Sequence, residues 1–124
     1  MQITISEENR VRVGVGRGAH LEIESEGPGL TLTPIHMLGA SLAGCTFSVL
    51  LSWAGSAGLE YDDLEVDLAW EFAEDPYRIG RYEMAILWPS LPPDRYGPAK
   101  SVAAQCTVEH TLRIPPEIEV SVGQ

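Results

Sequence analysis

A chain of 124 residues with 44% hydrophobic content has the size and composition of one folded domain, 1–124, whose core needs neither disulfides nor metals to form. The net charge is −10, with seven arginines and a single lysine, Lys100, and this balance argues against a nucleic-acid partner or an anionic membrane surface. The N-terminus, Met1 to Glu8, lacks a basic start followed by an apolar run, so a cytoplasmic protein is expected.

In chain order, residues 2–5 and 11–15 read as short strands. Arg10 to Val15 alternates polar and β-branched residues, Gly16-Arg17-Gly18 turns the chain, and Ala19 to Ser25 alternates again with Leu21 and Ile23 on one face. The pattern predicts a half-buried antiparallel hairpin between these two segments. Glu26-Gly27-Pro28-Gly29 is a turn.

The next stretch holds no Asp, Glu, Lys or Arg between Glu26 and Glu60. Thr33 suits an N-cap, Pro34 the first helical position and Gly58 a helix end. A helix apolar on all sides must be buried or span a membrane. Gly39, Ser41, Gly44, Thr46, Ser48 and Ser52 dilute this one, which favours a central helix between a sheet and a partner subunit. Gly39, Ala40, Ala43 and Gly44 would let another backbone approach closely.

Leu64 to Phe72 predicts a strand with Leu64, Val66, Leu68, Trp70 and Phe72 inward. A second strand, Ile79 to Trp88, follows a turn at Asp75-Pro76. Leu91-Pro92-Pro93 breaks the sheet, a helix carrying Val102 and Ala103 leads to Cys106, and Thr107 to Leu112 is a further helical turn. Pro115-Pro116 ends it, and Glu117 to Val122 alternates as a last strand. The order is α+β, with helices packed on one face of a mainly antiparallel sheet.

Cys45 and Cys106, about sixty residues apart, are the only cysteines, so they allow one intramolecular pair. In a cytoplasmic protein such a pair is either redox-active or a set of buried, inert thiols. Two segments carry a resemblance. Thr33-Pro34 through Cys45, with a small residue before the cysteine and an apolar helix after it, resembles the first cysteine motif of the OsmC/Ohr family. Cys106-Thr107-Val108-Glu109-His110-Thr111-Leu112 is similar to its second, and the order of elements fits over residues 10–122.

The resemblance implies an intertwined homodimer with both central helices buried and an active site at each end of the interface. It implies a thiol peroxidase acting on organic hydroperoxides, in which Cys45 attacks the peroxide and Cys106 resolves the product into a disulfide. A dithiol reductant, often lipoyl-linked, restores the thiols; no cofactor or metal is needed. The family also draws an arginine from the N-terminal region of the partner, held by a glutamate near the start of the central helix. Here the matching positions are Ile35 and His36, and Arg17 is the best candidate for the arginine, with Arg12 and Arg10 as alternatives. The missing glutamate also suits a second reading, a homodimer of the same fold that binds a small apolar or thiol-bearing ligand.

The chemistry of these roles bears on the residues. A peroxidatic cysteine reacts as thiolate and needs a cation or hydrogen-bond donors nearby. Cys45 lies mid-helix, where the helix dipole offers little. Ser41, Cys45, Ser48 and Ser52 share one helix face, either as a pocket wall or as hydroxyls bonded back to the helix backbone. His36 and His110 are candidates for a base or thiolate partner, against a structural role; the cysteines lack the close paired spacing of a zinc site. Trp53, Trp70 and Trp88 read as core fillers, and the acidic cluster Asp62, Asp63, Glu65 and Asp67 as a solvated strand edge.

Overall fold

A computed structural model describes residues 1–18 and 20–123. Five strands form one sheet: β1 (Gln2–Glu7), β2 (Arg10–Gly14), β3 (Glu22–Ser25), β4 (Glu65–Ala73) and β5 (Arg78–Leu87), in the order β3-β1-β2-β4-β5. The helices are α1 (Pro34–Ala57), α2 (Tyr96–Ala103) and α3 (Thr107–Arg113), with a 3-10 turn, Pro93–Arg95, before α2.

The β1–β2, β2–β4 and β4–β5 pairs are antiparallel, but β3 runs parallel to β1, with Ile3 opposite Ile23. The expected hairpin of β2 with β3 therefore does not form. Both edges of β2 are taken, by β1 and by β4, so β3 passes over to the free edge of β1. Leu21 and Ile23 stay exposed there.

The long helix forms as its end signals predict. Thr33 caps its N-terminus in extended conformation, Pro34 occupies the first turn, and Gly58 ends it at φ 69°, in the left-handed region that favours glycine. Its length and composition would suffice to cross a membrane, but half of its most apolar window is buried. It packs on β2 and β4 and against α2 and α3. The face bearing Gly39, Ala40, Ala43, Phe47 and Leu50 meets Val11, Val13, Val66, Leu68 and Trp70 in one core. Gly39 is small because of the Trp70 ring, not because of another backbone.

Leu64, Val66, Leu68 and Trp70 point inward as predicted, but Phe72 does not. Glu71 pairs with Arg81 and Phe72 with Ile79, so Gly80 is an extra residue in β5. A bulge of this kind adds local twist. Phe72 is left outside the core, stacked on Tyr77 with ring centroids 5.0 Å apart. A side chain at Gly80 would meet Ala73 Cβ at 2.6 Å, which accounts for glycine there.

The last predicted strand, Glu117 to Val122, does not form: the segment has no regular secondary structure and no strand pairing. Ile118, Val120 and Val122 are 81%, 85% and 96% exposed. Its alternation is that of a strand, yet among the described residues it pairs with no sheet edge.

Candidate functional site: a cysteine pair beside an apolar cleft

The tertiary fold brings the two cysteines together. Cys45 sits on the fourth turn of α1 and is half-buried; Cys106 is fully buried in the core. Both are free thiols, and they are neighbours close enough for Cys45 to act on the ionisation of Cys106.

Cys106 stands between two helices, as the sequence led one to expect. Helix α2 ends at Ala103, and Cys106 adopts an extended conformation as the N-cap of α3. Its sulfur does what a serine or threonine oxygen does at such a position: it accepts the Glu109 N–H at 3.4 Å. The Thr46 hydroxyl is a third neighbour. Successive residues of a helix point about 100° apart, so a sulfur lodged against α1 between Cys45 and Thr46 touches both. Burial, then the neighbouring Cys45, pushes the Cys106 thiol above its ordinary value of 9.0, while the Glu109 N–H and Thr46 hydroxyl pull the other way. The net rise keeps Cys106 protonated at neutral pH.

Cys45 opens on the other side into a cleft of about 360 Å³. Met1, Ile3, Leu21, Met37, Ser41 and Ser48 line it with Cys45. No charged residue is among the described residues lining this cleft. Both readings of the serine stripe hold at once: Ser41 and Ser48 donate to the carbonyls of Met37 and Gly44, at 2.9 and 2.8 Å, and still form part of the wall. With its hydroxyl turned back to the helix, each presents little polarity to the cleft.

Both candidate histidines are hydrogen-bonded within their own chain. Thr33 N–H and Thr33 Oγ1 both approach His36 Nδ1, at 3.2 and 2.8 Å, and His36 N–H donates to Thr33 Oγ1. A ring nitrogen that accepts from a backbone N–H is unprotonated, so Nε2 carries the proton and donates to the Glu7 carbonyl at 3.3 Å. His36 thus does for the helix start what a glutamate does in a capping box. His110 is exposed and bonds the Ala104 carbonyl at 2.9 Å. Neither lines the cleft beside Cys45.

The arginine candidates separate clearly. Arg10 pairs with Asp67 and Arg12 with Glu26. Arg17, on the exposed turn after β2, has no ion pair among the described residues and does not line the cleft of its own chain. Asp67 and Asp63 are spoken for, by Arg10 and by Ser90, and the described residues hold no group of three or more metal-ligating side chains.

The sequence did not place Thr46 beside the cysteine pair, nor Met1, Ile3, Leu21 and Ile23 at the cleft. Thr46 has a weak local signal, its place next to Cys45. Leu21 and Met1 have none, since only the parallel β1–β3 pairing brings them to α1.

An α+β chain with one long buried helix, carrying one member of a dithiol at a cleft and burying the other, defines the class. Residues 27–121 match the family of OsmC-like proteins, and the chain belongs to that family. Among solved structures it is similar to a protein of Psychrobacter arcticus 273-4 described as an osmotic stress induced and detoxification response protein. The identity is 22%, the TM-score 0.61, and the match covers 69% of this chain and 64% of that one. At this identity the likeness is one of fold, and the chain spans less than two thirds of its neighbour's length. No curated protein matches the chain.

Proposed function

We propose that the chain is a thiol-dependent peroxidase that reduces organic hydroperoxides, acting as a homodimer. The observation that carries this reading is the neighbouring Cys45–Cys106 pair, of which only Cys45 opens into an apolar cleft. An organic hydroperoxide, ROOH, would lay its carbon chain along that cleft. The Cys45 thiolate attacks the outer peroxide oxygen; an S–O bond forms, the O–O bond breaks and the alkoxide leaves as ROH after taking a proton. The Cys106 thiol then attacks the Cys45 sulfenic acid, water leaves and a disulfide forms. A dithiol, of lipoyl type, returns the pair to two thiols. Arg17 of a second copy would supply the cation that the thiolate and the leaving oxygen require.

Two features support the homodimer. Leu21, Ile23, Leu32 and Met37 form an exposed apolar surface around the cleft, and the C-terminal segment exposes alternate apolar residues with no sheet edge to join. A second copy would bury both.

Stopped-flow consumption of cumene hydroperoxide with a dithiol tests the activity, comparing wild type with Cys45→Ser and Cys106→Ser. Wild type no faster than Cys45→Ser would end the peroxidase reading. The uncharged lining of the cleft favours the second reading, a dimer that binds a small apolar or thiol-bearing ligand there. Under that reading, mass spectrometry after limited peroxide finds unreacted thiols in place of a Cys45–Cys106 disulfide.

A further inference from the structure

The two sulfurs differ in access and in surroundings. Cys45 lines the cleft, whereas Cys106 has no exposed surface and is enclosed by core side chains. Thr46 is buried as well, and its hydroxyl donates to the Leu42 carbonyl at 3.1 Å while also lying against the Cys106 sulfur. Thiol–disulfide exchange depends on which sulfur can be reached and on how well the departing sulfur bears its charge.

We propose that a thiol reductant opens the Cys45–Cys106 disulfide at the Cys45 sulfur, so that Cys106 departs, and that Thr46 is the positioning residue for the departing sulfur. This rests on the pair cycling through a disulfide, not on how that disulfide arises. In the step, one thiolate of a dithiol forms a bond to Cys45 Sγ, the bond between the two protein sulfurs breaks, and its electron pair goes to Cys106 Sγ. The new thiolate is taken out of water, a costly place for a charge. It accepts the Glu109 N–H, already at 3.4 Å, and the Thr46 O–H, which rotates from the Leu42 carbonyl. Cys106 then regains a proton, the second thiol of the dithiol loses one, and its attack on the mixed disulfide releases Cys45 and a cyclic disulfide.

The arrangement also gives the resting state its polarity. A neutral Cys106 lets Thr46 keep its bond to Leu42, so the hydroxyl is called on only while charge develops. Valine has the shape of threonine without the hydroxyl, and serine has the hydroxyl without the methyl.

The test needs no peroxide. The protein is oxidised with diamide, exposed briefly to glutathione, quenched with acid and N-ethylmaleimide, and mapped by peptide mass. Glutathione is expected on Cys45 in at least about tenfold excess over Cys106. Thr46→Val should slow release of the disulfide by about tenfold, with Thr46→Ser within about twofold of wild type. An adduct mainly on Cys106 or shared equally, a diamide-treated protein without the disulfide, or Thr46→Ser as slow as Thr46→Val would each overturn the proposal. A failed peroxidase assay leaves these results standing, and their failure leaves the peroxide step untouched.

Discussion

Gly39 lies against the indole of Trp70, where an added Cβ would stand 2.7 Å from Cζ3. The ring is fully buried and braced edge-on by His36 and Tyr82, at centroid distances of 5.6 and 6.1 Å, so it has nowhere to go. Gly39→Ala is therefore expected to lower stability by about 1–3 kcal/mol, the cost of overpacking a core. That outweighs the gain in helix propensity of about 1 kcal/mol. Gly55→Ala, in the same helix with nothing within 4 Å of the new methyl, should raise stability by about 0.5–1 kcal/mol. Urea unfolding of the two variants should give opposite signs.

Alkaline pH should destabilise the protein through Cys106. Its thiol is held above 9.0 in the folded state by burial and by Cys45, so the unfolded chain loses that proton first. A raised folded value means that the associated stability is complete below about pH 9 and is lost as pH climbs toward the folded value. Tyr82, raised by burial above 10.0, adds a similar loss at higher pH. Between pH 9 and 10, stability measured by urea unfolding should fall more steeply for wild type than for Cys106→Ala, by up to about 1.4 kcal/mol per pH unit. Parallel slopes would show that Cys106 is not the titrating group.

Of the three candidate arginines, Arg17 is the one without an ion pair among the described residues, and the role proposed for it should be separable from its neighbours by kinetics alone. Arg17→Ala is expected to cut hydroperoxide consumption by about a hundredfold. Its unfolding midpoint should not move, because the side chain is exposed and has no ion pair among the described residues. Arg12→Ala breaks the pair with Glu26, a partly exposed bridge worth about 1 kcal/mol or less, and should leave the rate within a factor of about two. Equal rate losses in the two variants would remove Arg17 from the proposed site.

The C-terminal segment should matter to association more than to the fold of one chain. Removing residues 117–124 takes away Ile118, Val120 and Val122, which contribute nothing to the core. Sedimentation should show the proposed dimer weakened by at least about tenfold, with the far-ultraviolet circular dichroism of the sheet and helices retained. A truncated chain that associates as tightly as wild type would exclude the segment from the interface.

Much of this architecture is local and was therefore legible. Thr33, Pro34 and Gly58 bound α1 because capping and left-handed termination depend on residues a few places apart. Val66, Leu68 and Trp70 were readable as the inner face of β4 because alternation is a property of the strand itself. Pairing is not local. The parallel β1–β3 contact, the outward turn of Phe72 at the Gly80 bulge and the unpaired end at Val122 each depend on which edges distant segments have already filled.

The site divides in the same way. The sequence by itself determined that there are two cysteines, that one lies mid-helix in an uncharged segment, and that their motifs resemble those of the OsmC/Ohr family. The reciprocal cap that His36 makes with Thr33 became visible only in three dimensions, although the residue type and its three-residue spacing were there to read. Only the tertiary structure decided that Cys106 is a buried helix cap, that its sulfur meets Cys45 and Thr46, and that Cys45 alone faces the cleft. The physical reason is that a sulfur's reactivity depends on its neighbours and its access to solvent, and both come from packing between segments about sixty residues apart.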